Sequence, residues 1–263
     1  MKTIFITGTS SGIGKETVKF LSKKDFKVIA TARSIETIKE FESLPNVVIM
    51  PLDITDTKQI KEISSKAIKE YDIDILFNNA GYGIKSPLEL TPEEDIRKNF
   101  DTVVIGNMLL TQEFIPHFKK RKSGLILTTT SLAGIIALPL DGVYGAAKRA
   151  LTSMCESIYY ELKPFDVKVK IIIPGATKTD FKMNPFCIDG YEKASMNQRD
   201  FLYDGKGEGV EVSETVETIW EAINDNEDKI HYPSDKVALK LYNQYMEMGI
   251  EKYKEFFYKK MFL

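Results

Sequence analysis

The chain is poor in the residues that mark a disulfide-stapled, metal-bound or membrane-spanning protein. Its 263 residues hold two cysteines, Cys155 and Cys187, too few for a disulfide framework and suited to a reducing compartment. The two histidines, His117 and His231, stand without cysteine or acidic companions at ligand spacing, so no metal site is expected. Neither sign of charge dominates: 36 Lys+Arg against 38 Asp+Glu leave a net charge of -2. That balance argues against a nucleic-acid partner and against docking on an anionic membrane. Long apolar runs are also missing. The longest uncharged segment, 123–140, carries Thr128, Thr129, Thr130, Ser131, Gly134 and Pro139, and reads as a strand followed by a loop. The opening MKTIFITGTSSGIG has one lysine before an apolar run that meets glycine at once, a strand entering a turn and not a signal peptide. There are no internal repeats, linkers or low-complexity tracts. A soluble, cytoplasmic protein with one α/β domain spanning 1–263 is expected.

What is present is an alternation. Apolar, β-rich runs predict strands at 3–7, 27–31, 47–50, 73–77, 125–129 and 168–173, with a short extended piece at His231-Tyr232-Pro233. Helical patterns fill the intervals: after the first glycine turn, at 56–70, from Thr91 to about Lys120, through Tyr144 to about Leu162, at 213–225, and along the tail 234–263. Thr91 is expected as an N-cap, with Pro92 in the first helical position and Glu94 three residues after the cap. Pro116 should fall near the last turn of that helix or kink it, and Ser213 is a cap candidate. The stretch 181–210 lacks clear periodicity and reads as a loop-like lid. Its Phe181, Met183, Phe186, Tyr191, Met196, Phe201 and Tyr203 would suit an apolar substrate or simply cover core. The lysine-rich tail would pack on the domain or extend toward a partner. Buried strands alternating with helices predict a doubly wound parallel sheet with helices on both faces. Right-handed crossovers then bring the functional segments to the C-terminal ends of the strands.

Four groups of residues carry chemistry. After the first strand come Gly8, Gly12 and Gly14 and then a helix; glycines let a pyrophosphate approach, and the helix start offers free N–H groups. The second strand ends at Ala32-Arg33-Ser34, with no acid to accept a ribose 2′-hydroxyl and with Arg33 available for a 2′-phosphate, which favours NADP(H) over NAD(H). At the end of the fourth strand Asn78 and Asn79 need partners for their amides and would tie neighbouring strand ends together. Tyr144 and Lys148, four apart, share one face of a helix. An ammonium beside a phenol favours the phenolate, and such a tyrosine exchanges a proton with a carbonyl or alcohol oxygen. Ser131, across a Gly/Pro-bearing loop, would hydrogen-bond the same oxygen.

These motifs, in this order and spacing, resemble the short-chain dehydrogenase/reductase family in its single-domain Rossmann-type branch, over essentially the whole chain. The extended branch, with a different glycine spacing and longer chains, fits less well. The resemblance implies Ser131, Tyr144 and Lys148 as the catalytic set, with Lys148 also on the nicotinamide ribose. It implies a cofactor site that takes in Gly8, Ser10, Ser11, Gly12, Ile13 and Gly14 of the turn, Arg33, Asp53 against the adenine with Ile54, and Asn79, Ala80 and Gly81. Tyr144 and Lys148 themselves belong to that site, as do Pro174, Gly175, Thr177 and Thr179 near the nicotinamide amide. The tail resembles 17β-hydroxysteroid and retinol dehydrogenase-like members, which implies a steroid-, retinoid- or lipid-like substrate carrying a carbonyl or alcohol.

One position departs from the family pattern. Alignment through Gly106 and Pro116 puts Val103 where the family has an asparagine that helps hold a proton-relay water chain. Asn99 and Asn107 lie a turn to either side, and neither inherits the role. Val103 motivates an alternative, a non-enzymatic dinucleotide-binding sensor or assembly subunit, against which the intact Ser/Tyr/Lys set speaks. The resemblance also implies a homodimer or homotetramer through the helices at about 92–120 and 142–162.

Overall fold

The computed structural model describes residues 1–179, 181, 183–185, 188–203 and 209–263, with backbone alone at 183–185. The first half of the chain forms β1 (Lys2–Ile6), α1 (Gly12–Leu21), β2 (Phe26–Ala32), β3 (Val47–Pro51), α2 (Thr57–Tyr71) and β4 (Ile75–Asn78). Then come a short β5 (Gly83–Lys85), α3 (Glu93–Phe100), a π-helical turn over Asp101–Ile105, α4 (Gly106–Arg121), β6 (Gly124–Thr129), α5 (Gly142–Leu162) and β7 (Val167–Ile173). The remainder holds β8 (Thr177–Lys178), β9 (Met183–Pro185), α6 (Glu192–Leu202), β10 (Val210–Glu211), α7 (Val212–Asn224), β11 (His231–Pro233), α8 (Lys236–Met248) and α9 (Ile250–Phe262).

Seven strands form one parallel sheet in the order β11-β7-β6-β4-β1-β2-β3, the doubly wound Rossmann-type arrangement expected from the sequence. The piece at His231–Pro233 supplies the seventh strand, at the edge beside β7. Side chains alternate across the pleat and build two cores. Phe5, Ile29, Leu76, Ile126 and Ile171 pack with Ile60, Leu110, Phe114, Phe118 and Cys155 from α2, α4 and α5. Ile4, Ile6, Val28, Phe77 and Ile172 pack on the other face with Val18, Leu21, Ile219 and Ile223 from α1 and α7. The order reverses between β1 and β4, which opens a crevice at their C-terminal ends.

Three local expectations need correction. Thr91 does not cap α3: its hydroxyl donates to the Pro87 carbonyl, and Pro92 takes the cap position without a side-chain bond. Ser213 lies inside α7, which follows Glu211 without a side-chain cap. Pro116 sits inside α4 toward its end at Arg121, as expected. The largest difference is α6, a helix within the stretch read as a loop, whose buried residues are Ala194 and Gln198. The tail is two helices, broken at Gly249 with φ 71°, and it packs on the domain through Tyr253, Phe257 and Met261. Phe201 of α6 meets the Phe256 and Phe257 rings of α9 edge-on.

Candidate active site

The glycine turn is shaped by contacts that leave no room for a side chain. Gly8 has φ +67°, and a Cβ there would lie 2.8 Å from the Ala80 Cα. At Gly14 a Cβ would stand 2.4 Å from the Gly8 carbonyl and 2.6 Å from the Asn79 amide nitrogen. The helix that follows, α1, has no side-chain cap and no acid in its first turn, so its N-terminal N–H groups remain available to an anion.

The asparagine pair ties strand ends as its polarity requires. The Asn79 amide donates to the Thr7 and Gly8 carbonyls and its oxygen accepts from Thr129 Oγ1, which joins the ends of β1, β4 and β6. Thr7 Oγ1 accepts from the Asn79 and Ala80 N–H groups at 2.9 Å each. Asn78 instead turns toward α4, donating to Thr111 Oγ1.

Ser131 follows β6, and its Oγ accepts from the Ala133 N–H. Tyr144 lies in the first turn of α5, with Lys148 one turn on; both are buried. Lys148 Nζ donates to the Thr129 carbonyl at 2.8 Å and stands 5.9 Å from the Tyr144 ring centroid. Burial pushes Tyr144 well above the usual tyrosine range; the Ser131 hydroxyl opposes this and Asp141 adds to it. The same burial lowers the Lys148 ammonium to about 8.

Five segments converge on one cavity of about 440 Å³. Ser131, Tyr144 and Lys148 line it together with Gly8, Ser10, Ser11, Gly12, Ile13, Asn79, Gly81, Pro174, Gly175, Thr177 and Thr179. Gly14, Arg33, Asp53, Ile54 and Ala80 stand outside its lining. Gly14 and Ala80 serve the packing just described, while Arg33 and Asp53 follow the ends of β2 and β3. Arg33 is exposed, and Asp53 accepts from the Thr55 N–H and hydroxyl. Of the aromatic stretch, Phe181 and Tyr203 reach the cavity, with Phe181 6.0 Å from Tyr144 between ring centroids. Tyr191 donates to Glu89, Met196 is exposed and Phe201 packs on α9. The side chains of Met183 and Phe186, like Cys187, lie outside the described residues.

Val103 is fully buried in the π-helical turn, and a Cβ on Gly81 would lie 3.5 Å from Val103 Cγ2 and 3.7 Å from Lys148 Nζ. Asn99 donates to the Tyr82 carbonyl, and Asn107 to the carbonyls of Ala80 and Val103. The fold also supplies residues the sequence did not single out. Asp235, the cap of α8, accepts from the Gly175 N–H at 3.0 Å and fixes the Pro174-Gly175 turn. Lys85, Asp141, Gln198 and Arg199 line the cavity as well; each is an ordinary polar residue until the fold brings it there. Among the described residues no group of His, Cys, Asp and Glu is placed to hold a metal, and no helix is long and apolar enough to cross a membrane.

The residues fit a dinucleotide: an uncapped helix start, glycines that a Cβ would clash with, and a cavity running on to Tyr144. Comparison with known proteins agrees. Human 17-beta-hydroxysteroid dehydrogenase type 1 is 34% identical over 189 residues, 68% of this chain and 57% of that enzyme. The structure of a short-chain dehydrogenase from Streptomyces avermitilis superposes with a TM-score of 0.86 at 25% identity, covering 98% of this chain and 97% of that one. That of ElxO with NADP bound gives a TM-score of 0.78 at 25% identity, over 91% and 99%. The short chain dehydrogenase sequence model matches residues 2–186. The chain belongs to the short-chain dehydrogenase/reductase family of oxidoreductases.

Proposed function

We propose that this chain is an NADP(H)-dependent oxidoreductase that interconverts a carbonyl and a secondary alcohol on a small molecule, with Tyr144 as the proton donor and acceptor. The observation that carries this reading is the meeting of Ser131, Tyr144, Lys148 and the glycine turn on one cavity wall. When bound, the nicotinamide supplies or takes the hydride. The chain's own residues place the reacting oxygen and move its proton. Ser131 orients that oxygen by hydrogen bonding, and Tyr144, whose pKa burial raises, donates to it, which suits reduction of a carbonyl. In this reading Lys148, anchored on the Thr129 carbonyl, binds the ribose hydroxyls and bears on the charge of the phenol.

The cofactor preference rests on Arg33 at the end of β2, with no acid beside it, and the ElxO complex supports NADP in a relative of the same fold. The substrate body is apolar, against Leu132, Leu138, Phe181 and Leu202 of the cavity wall. A single cytoplasmic domain that pairs with a second copy through α3–α4 and α5 completes the proposal. Val103 favours one competing reading, a dinucleotide-binding protein without turnover, because its buried side chain holds no water beside Lys148.

The test is oxidation of NADPH and NADH by the purified protein with aldehydes, ketones, quinones and ketosteroids, alongside Tyr144→Phe. Turnover that disappears in the variant supports the oxidoreductase. Cofactor binding with no turnover in either form, persisting after Val103→Asn, supports the competing reading.

A further inference from the structure

The cavity has a second polar point whose side chains the fold does not explain. Asp141 precedes α5 and is 5% exposed; Gln198, on α6, is 1% exposed. Gln198 Nε2 donates to Asp141 Oδ2 at 2.9 Å. The other two oxygens, Asp141 Oδ1 and Gln198 Oε1, are buried and have no hydrogen-bond partner. Leaving a buried acceptor unfilled costs about 1–3 kcal/mol, more for a charged one, so native proteins rarely keep such a pair without a use.

Neither residue is needed where it stands for local structure. The Asp141 side chain makes no capping bond to α5, although it occupies the cap position. Gln198 takes a buried position on a helix face whose other buried residue is Ala194, where an apolar side chain would pack without penalty. Both residues line the cavity that Tyr144 lines, and so do Lys85 from β5 and Arg199 from α6. Lys85 is half-buried, makes no ion pair with Asp141, and its ammonium is lowered by burial and by Arg199 while Asp141 raises it. Two residues with an unpaired acceptor and one with a free ammonium thus line the same cavity, the oxygens lying just beneath its surface.

We propose that Asp141, Gln198 and Lys85 form a receptor for a hydroxyl group on the substrate, so that the enzyme acts on hydroxy-ketones and the corresponding diols in preference to plain ketones. This rests on the oxidoreductase reading above. A hydroxyl donates to Asp141 Oδ1 or Gln198 Oε1 and accepts from Lys85, which answers the donor and one of the two acceptors with a neutral group. A methyl group leaves every one unmet. A carboxylate suits Lys85 but faces two acceptors, and an ammonium suits the acceptors but faces Lys85 and Arg199. A site built for a hydroxyl discriminates strongly against its absence because the penalty falls on the protein's own buried groups. The apolar wall at Leu138 and Leu202 accommodates the carbon skeleton between the two polar points.

The experiment uses medium-chain 2-alkanones and their ω-hydroxy, ω-carboxy and ω-amino counterparts, reduced with NADPH. The ω-hydroxy compounds should show kcat/KM at least about tenfold above the parent ketones, and the ω-carboxy and ω-amino compounds should not. Gln198→Leu and the nearly isosteric Asp141→Asn, each checked for folding by its melting curve, should reduce that preference toward unity. Equal kcat/KM for hydroxy and parent compounds, a preference for either charged end, or a hydroxyl preference that survives both substitutions would overturn the proposal while leaving the oxidoreductase intact. Absence of turnover with every ketone strikes the oxidoreductase reading instead. Calorimetric titration of the same compounds into the NADP-loaded protein then decides the receptor alone: tighter hydroxy binding lost in Gln198→Leu upholds it, and equal binding overturns it.

Discussion

Arg149 Nη1 donates to the Ile135 carbonyl at 2.6 Å and to the Gly134 carbonyl at 3.3 Å. One helix, α5, thus carries Tyr144 and Lys148 and also holds the loop on which Ser131 is mounted. Lys148 adds a third tie, to the Thr129 carbonyl at the end of β6. The relative placement of the three side chains is set by bonds from neighbouring positions of one rigid element, which is how a fold limits error at a reacting oxygen.

Arg149→Met should therefore loosen the Ser131 loop without touching the cofactor cradle. We expect kcat/KM for a carbonyl substrate to fall about 10–100-fold, since small misplacements of positioned groups have effects of that order. NADPH affinity, read by fluorescence titration, should stay within a few-fold. A parallel loss of cofactor binding would show that Arg149 supports the whole site and not this loop.

Tyr144→Phe keeps the ring that meets Phe181 and removes only the hydroxyl. Turnover should drop by about 10²–10⁴ if the phenol is the proton donor. Single-turnover reduction with bound NADPH would be measured, and retention of more than a tenth of the rate would remove Tyr144 from that role.

Arg33→Ala should weaken NADPH binding by roughly 10-fold and leave NADH nearly unchanged, because an exposed guanidinium contributes about 1–2 kcal/mol to a phosphate contact. Equal losses for the two cofactors would deny Arg33 the 2′-phosphate.

The pH dependence of folding should carry the mark of Asp141. Burial pushes its carboxyl from 3.8 up to about 7, against the opposing influence of Lys85 and the Gln198 hydrogen bond; Tyr144 and Arg199 are the other titratable groups around it. The folded chain then binds one more proton than the unfolded chain between these values. Stability from this carboxyl is complete below about pH 4 and is lost as pH rises through about 7, about 4 kcal/mol in all. Asp141→Asn does not titrate, so its melting temperature relative to the parent should rise between about pH 5 and pH 8. A difference that stays constant over that range would mean the carboxyl is ionised in the fold throughout.

Gly106→Ala tests the packing of α4 against the loop after β3. A Cβ there would sit 2.2 Å from the Ile54 carbonyl, and backbone must move to admit it. We expect destabilisation of roughly 1–3 kcal/mol by denaturant titration; a neutral effect would show that this contact yields easily.

Much of this molecule was legible in the chain because the signals are local. The strands are short apolar runs bounded by glycine, asparagine or proline, and Tyr144 and Lys148 share a helix face by spacing alone. What was not legible depends on distant partners. The helix α6 escaped because its buried positions hold Ala194 and a glutamine, so no apolar stripe announced it. Thr91 looked like a cap, but the helix begins one residue later, after Pro92, and the Thr91 hydroxyl donates back to the Pro87 carbonyl. The pairing of Asp141 with Gln198 spans 57 positions of sequence, and no composition or period encodes it. The burial of Tyr144 was likewise not legible, because spacing puts a lysine nearby but does not report how dry the site is.

The helix α6 is gripped from two sides, by Asp141 through Gln198 and by α9 through Phe201. The last thirteen-residue helix, Ile250–Phe262, supplies no side chain to the cavity that Tyr144 lines, yet it determines how much of that cavity's wall is already in place before a substrate arrives. Its contribution is to pre-organisation. Without it, each binding event would have to immobilise α6 anew, and the deficit would surface as weaker capture of substrate while the bound complex reacted at its former rate.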